Sequence, residues 1–156
     1  MKQSAGILLY QTFPLRFFLV HPGGPFWKNK DAGAWSVPKG EFSVDEDPMM
    51  AAVREFKEET GYELSPDDVY LKLDPVRLKS GKTVHAWALE KYVDADRIIS
   101  NTFEIEWPPR TGRKLEIPEV DIAQWFTFDE AGEKINEAQR HFLEQVSERL
   151  SSGTLP

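Results

Sequence analysis

The chain has 156 residues, 40% hydrophobic and 29% charged, enough for one domain with a real core and too few for two comfortable ones. It has no cysteine, which excludes disulfides, thiolate metal sites and cysteine nucleophiles. Its net charge of −7 disfavours a general polyanion-binding surface, so no nucleic-acid partner is expected, and a nucleotide would need a local basic patch or metal ions.

Taken in order, residues 4–10, with the run AGILLY, read as a strand. Phe13-Pro14 reads as a turn, and residues 16–21, RFFLVH, read as a second strand paired with the first. Residues 22–34 form a long loop rich in turn formers that still carries Phe26, Trp27, Lys28 and Lys30. Loops of this length in a compact domain are often lids or binding loops. Trp35-Ser36-Val37 reads as a short strand leading through Pro38 and Lys39 into a stretch that ends at Tyr62.

That stretch is GEFSVDEDPMMAAVREFKEETGY. Asp47 fits an N-cap, and Pro48 fits the first helical position, where its missing N–H costs nothing. Met49, Ala52, Val53 and Phe56 recur at helical spacing and predict the buried face. Gly61 can take the left-handed conformation that ends a helix. At about 100° per residue, Glu55, Glu58 and Glu59 fall within roughly a third of the helix circumference, beside the apolar face. Like charges at i,i+3 and i,i+4 repel, and the last turn of a helix disfavours negative charge. The cluster is therefore read as a cation site. A solvated acidic face served by Arg54 and Lys57 is the plainer alternative.

Beyond the helix, Ser65 to Asp68 read as a loop. Residues 69–78 and 83–92 read as strands joined by a hairpin turn at Lys79-Ser80-Gly81-Lys82. Residues 103–107 read as a short strand ending at the breaker Pro108-Pro109-Arg110-Thr111-Gly112, and residues 122–128 as a further strand. Asp129 can cap a short helix. Ile135, Ala138, Phe142, Val146 and Leu150 mark the core face of a C-terminal helix, with a frayed tail from Ser151 to Pro156. Neither a repeat nor an interdomain linker interrupts residues 1–156. With no apolar run of membrane-spanning length and no signal-peptide architecture, no membrane partner is expected and a cytoplasmic location is the default.

The stretch from Gly40 to Tyr62 resembles the signature of the Nudix hydrolase family: G, five residues, E, seven residues, R-E, an apolar residue, any residue, E-E, any residue, G, an apolar residue. Gly40, Glu46, Arg54, Glu55, Phe56, Glu58, Glu59, Gly61 and Tyr62 stand at those places. Fixed residues at fixed spacing make this a strong motif. The resemblance implies an α+β fold, an α/β/α sandwich with a mixed central sheet between helices. It also implies hydrolysis of a pyrophosphate bond in a nucleoside diphosphate linked to another group. Glu55, Glu58 and Glu59 would be metal ligands, with the Lys39 carbonyl as a further one. Arg54 would orient a carboxylate, and Glu46 would help hold the loop. Several carboxylates without thiols favour magnesium or manganese over zinc.

For the substrate, Trp27, Trp35, Phe26 and Trp87 offer stacking faces. Lys28, Lys30, Lys39, Arg77, Lys79, Lys82, Arg110 and Arg113 could meet phosphates. The segment WSVPKGE resembles the approach to the signature helix in diadenosine polyphosphate hydrolases, which points to a dinucleoside polyphosphate. EIEWPPRTG resembles a feature of a bacterial Nudix subgroup with nucleotide pyrophosphohydrolase assignments and adds no substrate. Two alternatives stay open: a hydrolase that sanitises oxidised nucleoside triphosphates, and a non-catalytic domain that binds a nucleotide for regulation.

The family commonly places an extra carboxylate shortly ahead of a strand with a tryptophan, here Trp125. Glu119 is the candidate as metal ligand or base, and Glu104 is the runner-up. No histidine pair shares a ligand spacing, so His21, His85 and His141 are read as structural. No serine sits in a nucleophile elbow. The sequence leaves the oligomeric state open.

Overall fold

The computed structural model describes residues 2–153. Seven strands form one mixed sheet. They are β1 (Gln3–Gln11), β2 (Arg16–Pro22), β3 (Lys39–Glu41), β4 (Leu71–Lys72), β5 (Val76–Arg77), β6 (Thr83–Glu90) and β9 (Val120–Thr127). The main path runs β4-β6-β1-β2-β9, with β3 joined to β1 and β5 to β6. β1 and β6 are parallel, from Gln3 beside Thr83 to Tyr10 beside Glu90, and the other pairs are antiparallel. Two further strands, β7 (Thr102–Glu106) and β8 (Lys114–Pro118), make a separate hairpin. The helices are α1 (Pro48–Thr60), α2 (Phe128–Lys134) and α3 (Arg140–Ser152).

Strand periodicity sorts the core into two layers. Ile7 and Leu9 of β1 and Phe18 and Val20 of β2 face α1, where Ala51, Ala52 and Phe56 meet them. Leu8, Tyr10, Phe17 and Leu19 face the other way, toward Ile135, Phe142 and Val146. Both faces of the sheet are covered, which explains why β1 and β2 read as continuous apolar runs rather than alternating ones. The result is the expected α/β/α sandwich. Phe56 has no exposed surface, and truncating it to alanine would cost about 3–5 kcal/mol.

Helix α1 forms as its sequence dictates. The Asp47 carboxylate accepts from the Met50 N–H at 3.0 Å, and Pro48 opens the first turn. Gly61, at φ 82°, donates its N–H to the Lys57 carbonyl at 2.7 Å and ends the helix. Ala52 and Phe56 are buried as expected, while Met49 and Val53 are half-buried at the edge of that layer.

Several elements differ from expectation. Trp35-Ser36-Val37 is not a strand but makes two single bridges, Ser36 to Val20 and Trp35 to Ile135. The strand expected over 69–78 is split into β4 and β5, because Pro75 cannot donate and α3 takes over the pairing. Gln145 accepts from the Asp74 N–H at 2.7 Å and donates to the Asp74 carbonyl at 3.1 Å. Lys114–Pro118 is a strand that its charge-rich sequence hides. Thr127, not Asp129, caps α2, in a capping box with Glu130. The C-terminal helix begins only at Arg140: Ile135 ends α2, and a 3-10 turn over Glu137–Gln139 carries Ala138. Ser151 and Ser152 belong to α3 and Gly153 caps its end, rather than forming a frayed tail, and the remainder of that tail, 154–156, lies outside the described residues. No helix among the described residues is long and apolar enough to cross a membrane.

Candidate active site

Helix α1 and the β8–β9 junction bring three carboxylates together. Oxygens of Glu55, Glu59 and Glu119 lie within 4.8 Å of one another. Glu55 and Glu59 come from the α1 face predicted from spacing. Glu119 is held from both sides, its N–H donating to the Asn101 carbonyl at 2.8 Å and its own carbonyl accepting from Gly23 at 3.1 Å. The Asn101 N–H in turn reaches the Glu58 carbonyl at 2.7 Å, so the loop carrying Glu119 is tied to the end of α1.

Glu55 is buried, at 7% relative exposure, with its carboxylate against the Cα of Gly40. A methyl group at Gly40 would fall on that carboxylate. The glycine therefore serves Glu55 directly, as well as leaving the β3 backbone open. The Lys39 N–H, on the same strand, donates to Glu59 at 3.2 Å.

Glu58 stands apart from the three-oxygen group. Both its oxygens accept from Arg54, at 3.1 and 3.2 Å. The same guanidinium donates to Glu55 at 2.9 Å, and to the two Glu46 oxygens at 2.8 and 3.0 Å as a planar fork. One cation thus serves three carboxylates and fixes the two of them that lie on α1.

The electrostatics show a site short of positive charge. Burial, then the Glu58 charge, pushes the Glu55 carboxyl up against the pull of Arg54. Burial pushes Glu59 up to about 8, with Lys39 opposing and Glu119 adding. Burial and Glu58 raise Glu119 as well. Burial lowers the Lys39 ammonium, though Glu59 works to keep it charged. Outside the cluster, the Arg54 hydrogen bonds hold the Glu46 carboxyl below the usual range. Three converging carboxylate oxygens with no imidazole or thiolate among them are the donor set of a hard divalent cation. Glu55, Glu59 and Glu119 fit magnesium or manganese on that ground.

The cluster opens on a cleft of about 280 Å³ whose walls include Trp27, Trp35, Ser36, Lys39, Glu59 and Glu119. Trp35 is a core residue with one edge on the cleft. Its indole N–H donates to Asp31 at 2.8 Å, and its ring meets Phe126 and His21 edge-on at 5.0 and 5.2 Å. Trp27 is more open and packs edge-on with Phe26, whose ring carries the Lys30 ammonium at 3.5 Å. Lys28 is not on the cleft. It lines a separate depression with His21 and Asp121. Trp87 packs in the core layer under α1. Glu104 is exposed on the hairpin, paired with Glu116 across the strands, and stands outside the three-oxygen group.

Two contributors carry no sequence signal. His21 is buried between the Asp121 carboxylate (2.9 Å) and the Lys30 carbonyl (2.6 Å). It pins the 22–34 loop to β9, two residues from Glu119. Gln139 accepts from the Val37 N–H at 3.0 Å and exchanges hydrogen bonds with Ser36, closing the cleft floor. Both act through partners about a hundred residues away, which no local pattern records.

The NUDIX domain family model matches residues 2–146. A protein of Acanthamoeba polyphaga mimivirus, provisionally named for mRNA decapping, is 33% identical over 122 residues, 78% of this chain. The match spans 31% of that relative's own length. A Caenorhabditis elegans Ap4A hydrolase structure superposes with a TM-score of 0.63 at 21% identity, over 96% of this chain and 98% of that one. The NUDIX domain of Shewanella oneidensis NrtR, complexed with ADP ribose, gives 0.63 at 18% identity over 95% and 87%. The Escherichia coli ORF135 protein gives 0.64 at 19% over 97% and 92%. At these identities the superpositions speak for the fold, and the family match, covering nearly the whole described chain, speaks for descent. The chain belongs to the NUDIX family of hydrolases.

Proposed function

We propose that this hydrolase cleaves a pyrophosphate bond in a nucleoside diphosphate linked to another group, and that its substrates are dinucleoside polyphosphates. The observation that carries the reading is the convergence of Glu55, Glu59 and Glu119 oxygens within 4.8 Å at the wall of an aromatic-lined cleft. These three, with the Lys39 carbonyl, would hold magnesium or manganese. The ion supplies charge neutralisation on phosphate oxygens and activation of water.

The chain's own groups do the rest. Glu58, oriented by Arg54 and next in space to Glu55 and Glu119, accepts a proton from the attacking water. The water oxygen bonds to phosphorus, the anhydride P–O bond breaks, and the leaving phosphate departs with the bonding pair. The Lys39 ammonium, half-buried at the cleft, pairs with a phosphate. Trp27 and the edge of Trp35 hold a base by its face. An mRNA cap and Ap4A, the groups named in two relatives, share one chemistry: a polyphosphate joining two nucleosides. That common ground supports the substrate class. A complete set of signature carboxylates favours an enzyme over a regulatory binding domain.

The test is a hydrolysis screen with magnesium over diadenosine polyphosphates, oxidised and ordinary nucleoside triphosphates, nucleotide sugars and coenzyme derivatives, with products identified. Cleavage of diadenosine tetraphosphate with the highest kcat/KM is expected. Efficient turnover of an oxidised nucleoside triphosphate, with diadenosine tetraphosphate intact, would move the assignment to the sanitising hydrolases.

A further inference from the structure

The cleft, at about 280 Å³, lies just below the usual range of ligand pockets, about 300–1,000 Å³. A dinucleoside substrate must rest its second nucleoside elsewhere, and the β7–β8 hairpin offers the place. Its register pairs Phe103 with Ile117 and Ile105 with Leu115. The Trp107 N–H extends the ladder to the Arg113 carbonyl at 2.9 Å. Strand alternation puts these six side chains on one face. The opposite face carries Glu104, Glu106, Lys114 and Glu116. The apolar face begins at Ile117, buried against Gly24 in the loop that carries Trp27. It ends in Trp107 and Arg113, which are exposed.

The tip is built rather than loose. The Glu106 carboxylate accepts from the N–H groups of Arg110 and Gly112 at 3.0 and 3.1 Å. Arg110 is held at φ 65°, a conformation usually left to glycine. The side chains of Arg110, Arg113 and Lys114 make no hydrogen bond or ion pair among the described residues, in a chain of net charge −7. The unpaired Arg113 on the same face as an exposed indole matches a nucleotide: phosphate for the cation, a base for the ring. Arg113 lies six residues along an extended strand from Glu119, about 20 Å at the usual rise, so a substrate ending inside the cleft does not reach it.

We propose that the β7–β8 hairpin is the second nucleotide subsite, with Trp107 stacking on the far base of a free dinucleoside polyphosphate and Arg113 meeting its phosphates. This rests on the substrate class proposed above. The hairpin selects long substrates and takes no part in bond cleavage.

The experiment compares wild type with Trp107→Ala/Arg113→Glu and with Trp107→Phe on two substrates, diadenosine tetraphosphate and ATP, with magnesium. The double variant should raise KM for diadenosine tetraphosphate at least tenfold with kcat nearly kept, and leave ATP kinetics unchanged. Trp107→Phe should restore most of the loss, which a merely folded hairpin would not require. Equal effects on both substrates, or none on either, overturn the proposal. So does a concentration-dependent dimer that Trp107→Ala abolishes, since the face would then belong to a second copy. If wild type cleaves neither substrate, the functional reading fails by itself. Metal-free calorimetric titration with diadenosine pentaphosphate then decides the subsite: binding at least tenfold tighter to wild type than to the double variant supports it, and equal binding ends it.

Discussion

The carboxylate of Glu55 lies against the bare Cα of Gly40, so a strand residue and a helix residue fifteen positions apart share the volume of one side chain. Two parts of one motif are linked here by space as well as by sequence. Gly40→Ala should displace Glu55 from the cluster while leaving β3 free to form, since Gly40 needs no left-handed backbone. We expect magnesium affinity to fall at least tenfold and the fold to persist. Magnesium titration of the hydrolysis rate, beside a thermal melt, checks this. A normal magnesium requirement in the variant would show that Glu55 tolerates the shift.

The metal-free protein should lose stability as pH rises from about 5.5 to about 7.5, the window set by the Glu59 carboxyl. Burial raises it to about 8 in the fold, against an ordinary 4.5. Between those values the folded state holds a proton that the unfolded chain has released, so stability falls with rising pH. The slope approaches about 1.4 kcal/mol per pH unit for one such group. Glu59→Gln should reduce the slope without abolishing it, since Glu55, raised to about 7, titrates in the same window, while the amide oxygen can still accept from the Lys39 N–H. Magnesium should do likewise by binding the ionised form. Melts in chelator across this range decide it, and a Tm that climbs with pH would contradict the placement.

Glu58→Gln should lower kcat by about 10²–10⁴, the range for removing a general base, with the metal-free Tm no lower than wild type. The amide relieves repulsion with Glu55 and keeps one oxygen for Arg54. Arg54→Lys should lower kcat as well, by about 10–100-fold as for other residues that orient metal ligands. A lysine cannot reproduce the fork on Glu46 together with the bonds to Glu55 and Glu58. Single-turnover rates separate both effects from product release.

Glu119→Gln should weaken magnesium binding and lower kcat, whereas Glu104→Gln should retain wild-type kinetics, since Glu104 is exposed on the hairpin and stands outside the three-carboxylate group. The pair is best read from pH–rate profiles at saturating magnesium. Wild-type behaviour in Glu119→Gln with a large loss in Glu104→Gln would reverse the roles.

What the sequence made legible was local. Asp47, Pro48 and Gly61 mark the ends of α1 because capping chemistry acts within one helical turn. Glu119 is singled out through the resemblance to the family, which places a carboxylate ahead of a strand with a tryptophan, here Trp125. What stayed hidden depends on side chains reaching across the fold. Gln145 bonds to the backbone of Asp74 and breaks a strand that pattern alone would continue. His21 and Gln139 have ordinary strand and turn surroundings, yet they fix the loop and the cleft floor. Glu58, bound through both oxygens to Arg54, stays outside the three-oxygen group that Glu55 and Glu59 form with Glu119, a partition that equal spacing on one helix face cannot reveal. The β8 strand, charged at three of its first four residues counting Arg113 before it, shows only through its partner β7.

The hydrogen bond from the Glu119 N–H to the Asn101 carbonyl closes the hairpin at its root. Beyond Ile117, which is buried against Gly24, the hairpin can lengthen, shorten or change sequence without moving the carboxylate that follows. The hydrolytic machinery and the reach of the arm are thus separable parts. Relatives sharing this root could trade hairpins as cassettes, and a transplanted arm would carry its preference for substrate length with it.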